Sequence, residues 1–426
     1  MKLTKMALTT NKIIQEDKTF AQDLLLKSGQ LYQYCSGVYG YDNVLHLLMK
    51  NVKDIICKHL NNADCVEVSL PVLQPDSIWK QSGRLTKYVK EDVIYRTGSD
   101  NQFCLAPTAE EAIVDFLKNR LETYKSLPTT FYQIGTKFRN EIRSKGYLIR
   151  GKAFEMMDAY SFGRDIYDLE KEYANIKDAY FKIFAELGLE AMPVGADSGS
   201  MGGKKSEEFM FLSDLGEDTI LVDKESKKAF NSELLERQDA SEYLKENYGI
   251  GDISKLEKCR ALELGHVFQL GTYYSDTMNV GYVDQIGQYV PYFMGCYGIG
   301  VSRVTAVIYE NSKITDNKGN IVGFSLPYNL APYKAQIIYS NVGNKEEQAK
   351  KLYSDLMDNG INTIIDDRQD IMFGARIKDA NLLGTPYIVV LGNKTEDGQV
   401  EIENTKTKEK YYINIEEAVD FFKRIK

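Results

Sequence analysis

FRNEIRSKGYLIRGKAFEMMD, residues Phe138 to Asp158, alternates in a way that predicts a long antiparallel hairpin. Arg139 and Glu141 fall on one face of its first strand, and Arg150, Lys152, Phe154, Met156 and Asp158 on one face of its second. Ser144, Lys145 and Gly146 mark a polar turn between them. From Arg139 to Lys152, five basic residues (Arg139, Arg143, Lys145, Arg150 and Lys152) meet one acid, Glu141, a local +4 on a chain of net −8. Basic side chains, a carboxylate and an aromatic ring on facing strands suit a polyanion with a stackable ring, such as ATP. Taken alone, the same pattern also describes a surface hairpin with solvated charges.

Upstream, Val44, Leu47, Leu48, Val52, Ile55, Ile56 and Leu60 recur at helical spacing over Asn43 to Leu60. Cys65 to Leu70 alternates as a strand and runs into Pro71, which cannot donate to a ladder. Cys104-Leu105-Ala106-Pro107-Thr108-Ala109-Glu110-Glu111 joins a strand to a helix. Thr108 and Glu111 have the spacing of a capping box, while Thr108 and Glu110 also sit where a ligand could meet the mouth of a sheet. Downstream, Asp165 to Leu187 is predicted helical, and Ala196 to Gly203 a glycine-rich turn. Glu217 to Cys259 reads as a small, charged insert lying beside the main sheet, and Arg260 to Gln269 as a strand. From Ser325 strands and helices alternate for about 100 residues, which predicts a separate domain on a mostly parallel sheet.

Composition bounds the function. A chain of 426 residues with 43% hydrophobic content supports two or three domains with cores of their own. An acidic balance confines any nucleic-acid contact to local basic patches. No apolar run approaches the roughly 18 residues that cross a bilayer, and the N-terminus lacks the apolar stretch of a secretory signal. Six scattered cysteines (Cys35, Cys57, Cys65, Cys104, Cys259 and Cys296) form no C-x-x-C pair, so a reduced, cytoplasmic setting is expected. With only His46, His59 and His266, an H-E-x-x-H metal site is excluded.

Gly295-Cys296-Tyr297-Gly298-Ile299-Gly300-Val301-Ser302-Arg303 admits two interpretations. Gly298 and Gly300 could let backbone approach a ligand, with Arg303 flat against a heterocycle. They could equally form a tightly packed strand-to-helix turn. A Rossmann fingerprint fails because Arg303 stands where its third glycine belongs, and no G-x-x-x-x-G-K-[ST] loop exists. Glu263 and His266 lie three apart on one strand. For the histidine a packing role stands beside a functional one, whereas Glu263 near a triphosphate would be a natural Mg²⁺ ligand.

Three segments in fixed order resemble motifs 1, 2 and 3 of the class II aminoacyl-tRNA synthetases. They are the helix and strand ending at Pro71; Phe138-Arg139-x-Glu141 with Arg150-x-x-x-Phe154-x-x-x-Asp158; and Gly298-x-Gly300-x-x-Arg303. Within that class, Pro107 to Glu111, Asp158-Ala159-Tyr160-Ser161-Phe162, Glu263 to Thr272 and Gly295 to Gly300 are similar to strings of the bacterial-type prolyl-tRNA synthetases. Asp366-Asp367-Arg368 and Gly384-x-Pro386 resemble that family's anticodon-binding domain. Two departures stand out. Lys152-Ala153 replaces the family's frequent Arg-Glu, and the 217–259 insert is too short for the large editing domain, so no editing in cis is expected.

The resemblance implies an α+β catalytic domain on a mostly antiparallel sheet over residues 1–325, then an α/β anticodon-binding domain over 326–426. It implies a homodimer that uses ATP, Mg²⁺ and L-proline to charge tRNA(Pro), with no membrane partner. By the same resemblance Arg139, Glu263 and Arg303 are catalytic. Arg139 would hold the α-phosphate and the amino-acid carboxylate, Glu141 the adenine amino group, and Arg150 the γ-phosphate. Phe154 and Arg303 would sandwich adenine, Glu263 would carry Mg²⁺, and His266 would line both sites. Thr108 and Glu110 would bind proline's nitrogen, with Phe162 and Cys296 shaping its pocket. Arg143, Lys145 and Arg368 would meet tRNA. The competing expectations are a non-catalytic paralogue that binds tRNA, and a class II synthetase for another amino acid.

Overall fold

The computed structural model describes residues 1–6, 20–142, 144, 146–196, 205–223, 228–237, 239–249, 253 and 256–425. Contacts divide the chain into two compact units: Lys53–Ser144 with Arg150–Val304, and Met1–Val52 with Lys145–Ile149 and Thr305–Lys426.

The first unit is built on a nine-stranded sheet. Its strands in chain order are β1 (Val66–Glu67), β2 (Thr129–Phe138), β3 (Ala153–Gly163), β4 (Ala191–Gly195), β5 (Lys205–Leu212), β6 (Asp218–Val222), β7 (Ala229–Asn231), β8 (Glu257–Gly271) and β9 (Phe293–Ile299). Their spatial order is β5-β4-β7-β6-β8-β9-β3-β2-β1, with β5 also pairing β8. All pairs are antiparallel except β1 with β2 and β4 with β7. This is the α+β, mostly antiparallel architecture that the resemblance implies.

Each face of the sheet is covered. Of the helices used below, α1 is Asn43–Asn62, α2 Glu110–Leu117, α3 Ile166–Glu186 and α4 Val301–Asn311. Leu169, Tyr173, Ile176, Tyr180, Ile183 and Phe184 make a buried stripe at helical spacing on α3, which packs on β3, β8 and β9. Asp165 caps α3 by accepting from the Asp168 N–H at 2.9 Å. The other face carries Tyr160, Phe162, Met294 and Cys296, and it forms one core with Trp79, Ile113, Tyr274 and Tyr292.

In the second unit, β10 (Ala335–Tyr339), β11 (Thr363–Asp366), β12 (Tyr387–Leu391), β13 (Gln399–Asn404) and β14 (Lys410–Asn414) lie in the order β11-β10-β12-β13-β14. Helices α5 (Lys345–Asp358), α6 (Phe373–Leu383) and α7 (Ala418–Arg424) pack on it.

Several expectations are corrected. The hairpin exists, but its strands end at Phe138 and resume at Ala153, so Arg139, Glu141, Arg150 and Lys152 lie beyond the ladder. The reason is local. After a last rung from the Arg139 N–H to the Lys152 carbonyl (3.0 Å), Asn140 leaves the hairpin. Its N–H donates to the Val93 carbonyl (2.9 Å) and its side chain to Asp92 (3.0 Å). The strand expected over Cys65 to Leu70 shrinks to Val66–Glu67. The 217–259 insert does not lie beside the sheet: its strands β6 and β7 are part of it. The C-terminal sheet is mixed, since β13 and β14 add antiparallel to three parallel strands. No capping box forms at Thr108: Ala109 is the N-cap residue, and Thr108 turns its hydroxyl to Glu110. The glycine-rich turn falls largely on residues 197–203, outside the described residues.

Candidate active site

Three clusters sit on neighbouring elements of the nine-stranded sheet. The first is at the open end of the β2–β3 hairpin. The Arg139 guanidinium carbon lies 5.3 Å from the Phe154 ring centroid, and Arg139 Nε donates to the Pro107 carbonyl at 3.1 Å. Arg139 therefore links the hairpin to the segment that carries Thr108 and Glu110. Glu141 follows on the irregular stretch, where its N–H donates to the Arg139 carbonyl at 2.8 Å. Arg150 pairs with Glu217 at 2.8 Å.

The second cluster is buried. The Thr108 hydroxyl donates to Glu110 Oε2 at 2.6 Å, and the Cys296 thiol lies against the same carboxylate. Burial, with Glu110 beside it, pushes the Cys296 thiol well above its ordinary range, so it is a neutral lining group rather than a thiolate. Tyr160, directly across from Cys296 in the β3–β9 pairing, accepts from the Ala109 N–H at 3.1 Å. Phe162, fully buried, packs edge to face with Phe131 and with Tyr292, so it supports this pocket from the core.

The third cluster is electrostatic. Arg303 Nη1 donates to Glu263 Oε2 at 2.9 Å and to the Glu263 carbonyl at 2.6 Å, and His266 Nδ1 lies 3.1 Å from Glu263 Oε1. Burial works against the Glu263 charge, but His266 and Arg303 outweigh it and hold the carboxyl far below its usual range. His266 stacks on Phe268, with centroids 3.7 Å apart.

Glu208, which sequence reasoning missed, is the cross-strand partner of His266. Ligand atoms of Glu208, Glu263 and His266 all lie within 4.8 Å of one another. Burial, then the Glu263 charge, pushes the Glu208 carboxyl up to about 8. Two carboxylates so close keep one proton between them unless a cation takes its place. No local signal marks Glu208. It becomes a neighbour only through the β5–β8 register, set by residues some 60 apart.

Gly298 and Gly265, neighbours across β8 and β9, differ in what surrounds them. A Cβ at Gly298 would meet nothing nearer than Met156 Sδ and the Met157 carbonyl, both at 3.9 Å, so packing does not require the glycine. A Cβ would make only ordinary contacts there, so the glycine is compatible with close approach of a ligand to the β9 backbone. At Gly265, by contrast, a Cβ would lie 2.9 Å from the Gly298 carbonyl, so that glycine serves the sheet itself.

Residues 95–312 match the family described as "tRNA synthetase class II core domain (G, H, P, S and T)", and residues 334–425 match "Anticodon binding domain". The proline–tRNA ligase of Sulfurimonas denitrificans is 34% identical over 99% of this chain and 98% of its own length. The chain belongs to the proline–tRNA ligase family. The family's Rickettsia bellii member is 34% identical over 93% of both chains. The Aliarcobacter butzleri member, 31% identical, aligns over 567 positions, so this relative carries sequence that the 426 residues here lack. Among solved structures, a prolyl-tRNA synthetase from Cryptosporidium parvum superposes with TM-score 0.74, covering 95% of this chain and 76% of its own at 15% identity. A Giardia lamblia prolyl-tRNA synthetase, in complex with prolyl-adenylate, gives 0.72 at 17% identity over 93% and 75%. At such identities the likeness concerns the fold.

Within the family's anticodon-binding domain, Arg368 is tightly held. Its Nε and Nη2 donate to Asp366 at 3.0 and 2.8 Å, and Nη1 to Asp379 at 2.9 Å. Arg143 and Lys145, expected to meet tRNA, lie outside the described residues.

Proposed function

We propose that the protein activates L-proline with ATP to give prolyl-adenylate and diphosphate, then transfers the prolyl group to the 3′ end of tRNA(Pro). The observation that carries this reading is the position of Arg139, between the Phe154 ring and the Pro107 carbonyl beside Thr108 and Glu110. One fork there can serve both the phosphate and the amino-acid carboxylate that attacks it. The reaction needs no protein nucleophile. It needs reactants held in line and charge stabilised at a pentavalent phosphorus.

In this reading Phe154 and Arg303 hold the adenine ring, Glu141 its amino group, and Arg150, released from Glu217, the γ-phosphate. Thr108 and Glu110 receive proline's ring nitrogen, while His266, Phe162 and Cys296 shape the pocket. Glu263 and Glu208 offer oxygen ligands that suit Mg²⁺, with His266 alongside. When bound, the ion would neutralise triphosphate charge. Residues 1–325 form the catalytic part and 326–426 the anticodon-binding part, within which the two family matches fall. Arg143 and Lys145 would meet the acceptor end of tRNA, and Arg368 the anticodon. Six free cysteines support a cytoplasmic location, and among the described residues no helix is long and apolar enough to cross a membrane.

The test is proline-dependent ATP–pyrophosphate exchange followed by charging of tRNA(Pro). A protein that binds tRNA but exchanges nothing would overturn the reading in favour of a non-catalytic paralogue. Exchange driven by another amino acid would select a different specificity.

A homodimer is expected through the β1 edge. β1 contributes only two residues to the sheet, and Val66, Val72 and Leu73 stay 49%, 39% and 48% exposed. A cavity of about 250 Å³ runs between Glu67–Val72 and Gln133–Lys137. Light scattering should give twice the chain mass, and Leu73→Asp should shift it toward the monomer; a monomeric wild type would refute this.

Without an editing domain, alanine cannot be excluded by size. Each missing methylene is worth about 10- to 200-fold, so alanine-dependent exchange is expected at roughly 10²- to 10⁴-fold lower kcat/KM than proline. Undetectable alanyl-adenylate in the exchange assay would count against it.

A further inference from the structure

Beneath Thr108 and Glu110 lies a sealed cluster of charge. Arg84 is 3% exposed, Glu110 2% and Glu111 0%. Arg84 Nη1 donates to Glu110 Oε2 at 3.3 Å and to Glu111 Oε1 and Oε2 at 3.1 and 3.2 Å, while Nη2 donates to the Tyr88 hydroxyl. The rings of Trp79, Tyr88 and Tyr274 surround the guanidinium at 5.3, 4.6 and 5.3 Å. Ser82 donates to Glu111 Oε1 at 2.7 Å, and Thr108 to Glu110 Oε2 at 2.6 Å.

Burial works against the Arg84 charge, but Glu111, Tyr274, Tyr88 and Glu110 hold its pKa well above the ordinary arginine value. Arg84 is therefore a fixed cation, and two carboxylates share it. With both acids ionised, the cluster is one positive charge short. An uncompensated charge in so dry a place is costly, and either a proton or a cationic ligand relieves it. Glu110 is the member that faces Thr108 and Cys296, so a ligand's cation would enter on that side.

We propose that Arg84 is a positioning residue of the amino-acid site: it fixes Glu110 and cancels Glu111, leaving one unit of negative charge that the substrate's cationic nitrogen completes. This rests on the assignment of Thr108 and Glu110 to proline's nitrogen. It makes a signed prediction about charge. Glu111→Gln leaves Arg84 to neutralise Glu110 alone, so proline binds less well. Arg84→Met leaves two acids sharing a proton that proline must displace, and Glu110 loses a donor. Combining them leaves Glu110 as the single charge, and binding should return. Arg84→Lys should fall between, since a point charge cannot span two carboxylates and a phenol.

The experiment is steady-state exchange kinetics on the full chain. Glu111→Gln and Arg84→Met should each raise KM for proline at least tenfold and keep KM for ATP within about twofold, and the double variant should be closer to wild type than either of them. Equal shifts in both KM values, or a double variant no better than the worse single, would overturn the proposal. If Arg84→Met does not fold, Glu111→Gln and the double variant still give the comparison, with an unchanged ATP KM reporting an intact site. Absence of proline-dependent exchange in the wild type would instead reject the parent assignment.

Discussion

Arg139→Ala is expected to lower proline-dependent exchange on the order of 10³-fold, mainly in kcat, while the fold survives. Removing a single preorganised donor from a developing oxyanion costs about 10²–10³-fold, and Arg139 would contribute a charged fork rather than a neutral donor. Charge grows on the α-phosphate oxygens as the carboxylate attacks, so the loss should appear in the transition state more than in the ground state. The structural cost should be small. Arg139 is partly exposed, it lies past the end of β2, and its side chain meets the Pro107 carbonyl and the Phe154 ring. Arg139→Lys should recover only part of the activity, because an ammonium keeps the charge and loses the planar pair of donors. Exchange within tenfold of wild type in Arg139→Ala, with the melting curve unchanged, would remove Arg139 from the centre of the site.

The sequence makes the large periodic elements legible. Val44, Leu48, Val52, Ile56 and Leu60 are all buried on α1, as their spacing predicts, and α3 follows the same logic; the β2–β3 hairpin forms too, but its ladder stops at Phe138 and Ala153. Competition for hydrogen bonds is what stays hidden. Asn140 could continue the ladder or bond to residues 92–93, and nothing in the residues nearby decides between them. Thr108 had a capping box available on paper, but Ser82 and Arg84 take Glu111, and Thr108 turns to Glu110 instead. Glu208 and Arg84 escape sequence reading for one reason. Each gains its meaning from a partner distant in the chain, His266 for one and the start of α2 for the other. Motif strings locate the residues that would touch ligand. The residues that set their charge come from packing.

Asp158 shows how far that packing reaches, and its loss is expected to be the most destabilising single change near the site. Asp158 pairs with Lys137 at 2.6 Å, and the two side chains are 5% and 3% exposed. Gln133 and the Tyr160 hydroxyl both donate to Asp158 Oδ2, at 2.9 and 2.8 Å. Asp158→Ala would strand the Lys137 ammonium inside the sheet, a loss of about 3–5 kcal/mol, because removing one partner of a buried pair leaves an uncompensated charge. Urea unfolding should show it as a lower midpoint. Lys137→Met combined with Asp158→Leu removes both charges and should recover most of the loss, since the pair contributes less than its halves appear to. An Asp158→Ala midpoint equivalent to within about 1 kcal/mol of wild type would show that Lys137 finds water or another acid. Function should follow stability here. Tyr160 accepts from the Ala109 N–H while donating to Asp158, and Gln133 accepts from the Leu70 N–H while donating to the same carboxylate. One buried acid thus anchors both the segment ending at Pro71 and the turn that presents Thr108 and Glu110. In whatever fraction of Asp158→Ala stays folded, KM for proline should rise while KM for ATP changes little.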